Sequence, residues 1–174
     1  RPYDRLLIWG RDADRARACA ADLADLECDI HVVDTPADLV KASQLVITTT
    51  PAKTPVIEAK WLHPELHITA MGSDQAGKNE IDPQALVRAD LYVADRAAQV
   101  EQLGELRSAI EAGIWTKGAP AELGDVIQGR ARGRKNDAEI TICDLTGTGV
   151  QDTAIATHVM ARLAGRDVGT VITA

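Results

Sequence analysis

The fold is decided by residues 66–80, Leu-His-Ile-Thr-Ala-Met-Gly-Ser-Asp-Gln-Ala-Gly-Lys-Asn-Glu, where a short apolar run ends at a glycine. The run from Leu66 to Met71 predicts a buried strand, and in an open α/β sheet ligands bind just beyond the carboxyl ends of the strands. Asp74 and Lys78 follow at that point, four residues apart. Two interpretations stay open: the pair faces a ligand crevice, or Asp74 caps the loop and pairs with Lys78 on the surface.

Short apolar runs alternate with helical stretches on both sides of this segment. The patterns predict further strands at 6–9, 30–33, 45–47, 91–94 and 139–143. They predict helices at about 16–26, 35–43, 58–62, 82–88, 99–112, 121–127 and 151–164. This alternation predicts an α/β protein with a doubly wound parallel sheet.

Composition favours a single globular domain that acts on a small molecule. The chain has 174 residues, of which 45% are hydrophobic, and its net charge is -7. The negative charge argues against nucleic acid or an anionic membrane as the main partner. The sequence has no apolar run of roughly 20 residues and no signal-peptide character at its start, so we expect a cytoplasmic protein. Because the first residue is Arg rather than Met, we also expect a truncated or processed chain.

Neither the cysteines nor the histidines predict a metal site. Cys19, Cys28 and Cys143 lack the Cys-x-x-Cys spacing and lie in apolar or helical contexts, which favours reduced core thiols over disulfides. The four histidines show no metal-ligand spacing. We therefore expect no metal.

A glycine-rich segment, residues 146–152, follows the last predicted strand and precedes the last helix. The sixth position of its glycine motif, counted from Gly147 as the first, is Asp152, whose carboxylate would repel a pyrophosphate at the helix start. We interpret this segment as a helix-entry loop that lines the cleft. No Gly-x-Gly-x-x-Gly/Ala turn stands before Leu6, where a dinucleotide-binding sheet would open.

Five stretches together resemble the ornithine cyclodeaminase and mu-crystallin family, and within it the ectoine-utilisation cyclodeaminases. These stretches are Ile8–Asp12, Thr48–Thr50, His67–Glu80, Gly104-Glu105 and Ile140–Asp152. They span nearly the whole chain in the family's order. The most specific is Gly-Ser-Asp-x-x-Gly-Lys-x-Glu at 72–80, which resembles the loop that holds the family's acid/base aspartate.

The resemblance assigns roles to individual residues. It implies that Asp74 is the catalytic proton donor and acceptor, that Lys78 contacts the cofactor and that Thr146 contacts the substrate. Further cofactor contacts are implied for Thr50, Ile68, Thr69, Ala70, Met71 and Leu145. The implied cofactor is NAD, with NADP as the alternative: Arg11 at the end of the second strand of the cofactor domain suits the phosphate of NADP, and Asp12 beside it suits NAD.

The resemblance also implies a reaction. Family members draw hydride from the Cα of an amino acid to the nicotinamide and leave an imine that water, or the substrate's own second amine, can attack, with loss of ammonia. Two alternatives stay open: an imine reductase or amino-acid dehydrogenase, and a binding protein of the mu-crystallin type that holds NADPH and a ligand without turnover. A carboxylate in a closing cleft suits the proton transfers of the enzymatic readings.

The implied organisation has two parts. Residues 1–150 form a Rossmann-like NAD(P)-binding domain that lacks its first strand-helix unit. Residues 151–174 form a helix and tail that pack toward an absent substrate and dimerisation domain. In the family that domain supplies the substrate-binding arginine and lysine, so we expect this chain alone to be inactive and the parent protein to be a homodimer that binds a small amino acid or imino acid.

Overall fold

The computed structural model describes residues 3–166, 168 and 170. In these residues strands and helices alternate along the chain. The strands are β1 (Arg5–Ile8), β2 (Asp29–Val32), β3 (Leu45–Thr48), β4 (His67–Ala70), β5 (Leu91–Ala94), β6 (Ala121–Glu122) and β7 (Thr141–Asp144). The helices are α1 (Ala13–Asp22), α2 (Pro36–Lys41), α3 (Pro83–Arg88), α4 (Ala97–Val100), α5 (Glu105–Glu111), α6 (Leu123–Ile127) and α7 (Gly149–Leu163), with one 3₁₀ turn at Ala59–Trp61.

Every strand pair is parallel, which confirms the predicted α/β class. The larger sheet has five strands in the order β3-β4-β7-β5-β6. The last strand of the chain, β7, therefore lies between β4 and β5, with Ala70 opposite Asp144 in the register. This insertion makes the loop after β4 a neighbour of the loop after β7.

The sheet is interrupted between β1 and β3. Strands β1 and β2 form a sheet of their own, and among the described residues β1 shares no ladder with β3. The amino ends of the two strands are nevertheless connected, because the Arg5 guanidinium donates to the carbonyl of Ala42 at 3.3 Å. One face of β3 also lies open, with Leu45 and Ile47 55% and 58% exposed.

The core packs helices against the other face of the larger sheet. Its fully buried members include Leu66 and Ile68 on the β4 side, Leu86 on α3 and Leu106 on α5. Among helix starts, α2 is capped by Thr35, whose hydroxyl oxygen accepts the amide of Asp38 at 3.1 Å. Proline at the first helical position fixes the local backbone.

Three predicted helices differ from the observed ones. The helix predicted at 99–112 is two helices, α4 and α5, separated at Gly104. The first helix ends at Asp22 rather than near Leu26, and of its predicted apolar face only Ala16 is buried. The segment 121–127 begins with the two residues of β6, which pair with β5 before α6 starts.

Helix α7 has an apolar face that the described residues leave uncovered. It begins where predicted, with Thr148 and Gln151 forming a capping box. It has no buried residue, and Ile155, Val159 and Leu163 are all exposed. Part of the predicted tail, residues 167, 169 and 171–174, lies outside the described residues. Within the described part of the chain, no helix has both the length and the apolar character that a bilayer crossing requires.

Candidate active site

A cavity of about 370 Å³ lies at the carboxyl ends of β4 and β7. Its lining consists of Met71, Asp74, Leu145, Thr146, Gly147 and Gln151. The adjacency of β4 and β7 explains the cavity, because both loops leave the same edge of the sheet side by side. Four of the residues singled out from the sequence thus meet at one place: Met71, Asp74, Leu145 and Thr146.

Asp74 and Lys78 form an ion pair at the edge of this cavity. The Lys78 Nζ donates to Asp74 Oδ1 at 2.6 Å, with the side chains 19% and 46% exposed respectively. This hydrogen bond is the main reason that the pKa of Asp74 lies below its ordinary value of 3.8. The carboxylate is therefore ionised at neutral pH, and the hydrogen bond from Lys78 also makes it a weaker base than a free aspartate. Both interpretations left open by the sequence therefore hold in part: Asp74 pairs with Lys78, and Asp74 also lines the cavity.

Glu80 fixes the start of the loop that contains Asp74. Its carboxylate is fully buried and accepts the amide of Thr50 at 2.5 Å and the amide of Gly72 at 2.8 Å. Gly72 allows this approach, since a Cβ there would lie 2.3 Å from both the Glu80 carboxyl group and the Thr50 carbonyl oxygen. The ends of β3 and β4 are in this way held by one side chain.

Asp95 fixes the loop on the opposite side of the cavity. Its carboxylate accepts the hydroxyl of Thr146 at 2.9 Å and the amide of Gly147 at 2.8 Å. The Gln99 amide nitrogen donates to the Gly147 carbonyl at 2.8 Å. Since Thr146 gives its proton to Asp95, only the lone pairs of its hydroxyl oxygen stay available, and its substrate contact stays a prediction.

The residues expected on the nicotinamide side occupy different environments. Ile68 and Ala70 are buried in the hydrophobic core, whereas Met71 is exposed in the cavity. The Thr69 hydroxyl is hydrogen-bonded to the ring of His67 at 3.3 Å, and the Thr50 hydroxyl oxygen accepts the amide of Ala52 at 3.3 Å. Of these five residues only Met71 lines the cavity; the contacts assigned to the others remain predictions.

A second cavity, of about 430 Å³, lies at the carboxyl ends of β1 and β2. It is lined by Trp9, Gly10, Arg11, Ala13, Arg17, Val32, Val33 and Asp34. Arg11 therefore faces a cavity, as a cofactor contact would. The Asp12 carboxylate is engaged as the cap of α1, where it accepts the amides of Asp14 and Arg15 at 3.0 and 3.2 Å.

The remaining titratable groups outline no metal centre. Among the described residues, no cluster of three or more His, Cys, Asp or Glu side chains is arranged to hold a metal ion. Burial raises the pKa of the Cys143 thiol to about 11, as expected of an unreactive core cysteine. The expectation of core thiols is wrong for Cys19, which is exposed on α1, and only partly right for the half-buried Cys28.

Several residues that shape the site were not predicted from the sequence. Gln151 lines the cavity from the first turn of α7, and Asp144 and Glu105 are buried carboxylates behind it. In the sequence, Asp144 is recognisable only as a carboxylate directly after an apolar strand. Glu105 is recognisable only as an acidic residue after a glycine at a helix start. Neither signal separates a positioning residue from an ordinary cap.

A parallel α/β sheet with cavities at the carboxyl ends of its strands defines the class of Rossmann-like, dinucleotide-binding domains. Residues 1–167 match the model of the ornithine cyclodeaminase/mu-crystallin family, and the chain belongs to that family. This confirms the resemblance seen in the sequence at the level of the family.

Known relatives of the chain differ in activity. An uncharacterised cyclodeaminase of Sinorhizobium fredii is 47% identical over 98% of this chain and 52% of its own length. An archaeal alanine dehydrogenase dimer with bound NAD has a TM-score of 0.86 at 32% identity, covering 98% of this chain and 52% of that one. The iminosuccinate reductase of Paracoccus denitrificans in complex with NAD⁺ has a TM-score of 0.85 at 31% identity, with the same coverage. The chain thus spans about half the length of the relatives it matches, in a family that contains cyclodeaminases, imine reductases and dehydrogenases.

Proposed function

We propose that this chain is the cofactor-binding half of an NAD-dependent cyclodeaminase that acts on a small amino acid through an imine and releases ammonia. The observation that supports this most is the ionised carboxylate of Asp74, held by Lys78 at the edge of the cavity formed with Met71, Leu145 and Thr146. The substrate-binding groups belong to a part of the protein outside this chain, so the chain alone is inactive.

The residues present fit a dinucleotide. The cavity at β1 and β2 combines apolar walls from Trp9 and Val33 with the charged groups of Arg11, Arg17 and Asp34, a lining that suits the adenosine end of a dinucleotide. Met71, Leu145 and Lys78 would hold the nicotinamide end. When bound, NAD supplies a nicotinamide that accepts hydride from the substrate Cα. NADP stays the alternative, because the Asp12 carboxylate is used as a helix cap while Arg11 lies in the cavity.

Asp74 performs the proton transfers of this reaction. Loss of hydride from Cα requires the substrate amine to lose a proton, and an ionised carboxylate accepts it. Lys78 keeps the carboxylate ionised until then. After the substrate's second amine has attacked the imine carbon, the protonated Asp74 returns its proton to the original amine, which departs as ammonia. The cyclic imine that is left would then take the hydride back, so that no net NADH forms. The loop that contains both residues is held rigidly by Glu80, so the carboxylate keeps its direction.

An imine reductase or amino-acid dehydrogenase is the second candidate function. It is supported by the iminosuccinate reductase and alanine dehydrogenase relatives, and it needs the same proton transfer. A non-catalytic binding protein is less well supported, since it has no need of an ionised acid/base group in the cavity.

The stoichiometry of NADH separates the first two functions. With the full-length protein and a panel of amino acids and imino acids, a cyclodeaminase releases ammonia without net NADH. A reductase or dehydrogenase changes NADH in proportion to product. No turnover of any of these substrates would leave the binding protein as the better proposal.

Replacement of the acid/base group tests its role directly. We expect Asp74→Asn to lower kcat by about 10²–10⁴-fold while the Kd for NAD changes by less than about tenfold. Asp38→Asn, an exposed carboxylate at the start of α2, is the control and should leave kcat unchanged. Equal losses of turnover and cofactor binding would make Asp74 a structural residue.

We further propose three properties of the whole protein. It belongs to the ectoine-utilisation branch, by the resemblance of residues 72–80. It is a homodimer, which the dimeric alanine dehydrogenase supports, and residues 151–174 pack toward the absent domain, which the uncovered apolar face of α7 supports. It is cytoplasmic, in keeping with the composition of the chain.

A further inference from the structure

Three buried carboxylates form a continuous chain behind the cavity. Asp144 accepts the backbone amide of Glu105 at 2.7 Å, and Glu105 accepts the backbone amide of Glu80 at 2.8 Å. Glu80 in turn accepts the amides of Thr50 and Gly72. Asp144 thus holds the main chain of Glu105, and Glu105 holds the main chain of Glu80. Through Glu80 the series joins the end of β7 to the ends of β4 and β3.

Glu105 is the central member of this chain and the one with the most partners. Its Oε1 accepts the Ser73 hydroxyl and the Glu80 amide, and its Oε2 accepts the side-chain amide of Asn79 and the backbone amide of Ile81. Ser73 directly precedes Asp74, and Asn79 directly follows Lys78. One side chain on α5 therefore holds both ends of the short loop that brings Lys78 back to Asp74.

The ion pair of Asp74 and Lys78 is supported from the same helix by a second contact. Arg107, two residues after Glu105, donates through Nη2 to the carbonyl of Lys78 at 3.1 Å. Lys78 is the group that hydrogen-bonds the Asp74 carboxylate, and the side chains that line the cavity together with Asp74 are uncharged. The geometry of the pair thus depends on how α5 holds the loop, together with the hydrogen bond of Glu80 to the Gly72 amide.

A purely structural role does not account for the choice of these residues. Burying a carboxylate is costly, and apolar residues of similar volume stabilise a core as well or better. Burial raises the pKa of Glu105, even though four donors favour its charged form. What the arrangement provides instead is a fixed direction for the backbone on either side of Asp74 and Lys78.

We propose that Glu105 is a positioning residue, whose carboxylate fixes the loop 73–81 so that Lys78 reaches Asp74 at the edge of the cavity. The proposal depends on the proposed function only in taking Asp74 as the acid/base group. Glu105 itself lines neither cavity and touches no substrate or cofactor.

The variant Glu105→Gln tests this proposal in the full-length protein. The substitution keeps the shape but replaces one acceptor oxygen with an NH₂ group, which then faces the amide of Glu80 or of Ile81. We expect kcat to fall by about a hundredfold, with the Kd for NAD unchanged within about threefold. We also expect the pKa of Asp74, followed by NMR with ¹³C-labelled aspartate, to rise toward its ordinary value because Lys78 no longer reaches it.

A milder variant and a control make the outcome decisive. Ser73→Ala removes one donor to Glu105 and should shift the same readouts in the same direction by less, even if Glu105→Gln fails to fold. Glu101→Gln, an exposed carboxylate before α5, should change none of them. A fall in kcat without a change in the pKa of Asp74, or no change in that pKa in either variant, would overturn the positioning role. If the wild type shows no NAD-dependent turnover, the proposed function fails, while the titration of Asp74 still decides the role of Glu105.

Discussion

The carboxyl group of Asp144 is fully buried and has an unusually high pKa. It accepts the Tyr92 hydroxyl at 2.6 Å and the Glu105 amide at 2.7 Å, yet burial raises its pKa from 3.8 to about 7. The titratable groups facing it are the carboxyl groups of Glu105 and Asp95 and the hydroxyl of Tyr92. The pKa of Tyr92 is itself raised by burial and by Asp144. Asp144 therefore changes charge near neutral pH.

This shift predicts a pH dependence of stability. Because the pKa in the folded state is the higher one, the folded protein keeps a proton on Asp144 that the unfolded chain releases. The contribution to the free energy of unfolding, at most roughly 4 kcal/mol, is complete below about pH 4 and is lost as the pH rises through about 7. Asp144→Asn resembles the protonated form at every pH, so its stability relative to the wild type should rise by roughly 2–3 kcal/mol between pH 5 and pH 8. Urea denaturation at both pH values measures this; a constant difference between the two proteins would contradict it.

The position of Arg11 leads to a prediction about the preference of the protein for NAD or NADP. It lines the cavity at β1 and β2 beside Gly10, which has no side chain to accept a ribose hydroxyl. If the guanidinium binds the phosphate of NADP, Arg11→Ala weakens NADP by roughly tenfold or more and leaves NAD nearly unchanged. Isothermal titration of both dinucleotides against the full-length protein tests this, with Arg15→Ala as the control outside the cavity. An unchanged preference would refute the phosphate role.

At the scale of elements, Gly104 lies just before α5, where the backbone comes so close to Asp144 that a side chain has no room. A Cβ at this position would lie 2.6 Å from Asp144 Oδ2 and 3.0 Å from side-chain atoms of Thr146 and Val100. We expect Gly104→Ala to lower the free energy of unfolding by about 1–3 kcal/mol through overpacking. Gly124→Ala on α6 is the matched control, since nothing lies within 4 Å of a Cβ there, and it should be neutral or stabilising by up to about 1 kcal/mol. Equal effects in chemical denaturation would argue against the close approach.

The same glycine shows why the elements were predictable only in part. Six of the seven strands were located within a residue or two, because each is a short apolar run between clear stops, whereas β6 lies in a segment predicted to be helical. The helix predicted at 99–112 was wrong because its break comes from contact with Asp144, forty residues away, which local periodicity does not encode. The position of β7 between β4 and β5 is likewise a long-range pairing, and it is this pairing that assembles the cavity.

The site was predictable to the extent that its chemistry is local. Asp74 and Lys78 are four residues apart in one loop, so their pairing followed from the spacing. Glu105 and Asp144 support that loop from other elements, and their partners became visible only in the fold. Ile68 shows the converse case: its place in a matching stretch suggests a cofactor contact, which stays a prediction, while its side chain is fully buried in the core.

At the scale of the whole molecule, two apolar surfaces support the proposal that this chain is one part of a longer protein. The facing strands β1 and β3 share no ladder, and Leu45 and Ile47 on β3 are exposed. An additional parallel strand between β1 and β3, with a helix over Leu45 and Ile47, would join the two sheets into one. This arrangement agrees with the strand-helix unit that the family resemblance places before Leu6.

The second surface is the apolar face of α7, and it gives a prediction that distinguishes the chain from its parent protein. Ile155, Val159 and Leu163 are exposed in the chain, so Ile155→Glu should change its free energy of unfolding by less than about 0.5 kcal/mol. If, as we propose, the same face packs against the substrate and dimerisation domain in the full-length protein, a buried charge there should cost several kcal/mol and weaken the dimer. Thermal unfolding and analytical ultracentrifugation of both forms measure the contrast. Ala161→Glu, on the opposite side of α7, is the control; if the two variants behave alike in the full-length protein, the apolar face of α7 is not an interface.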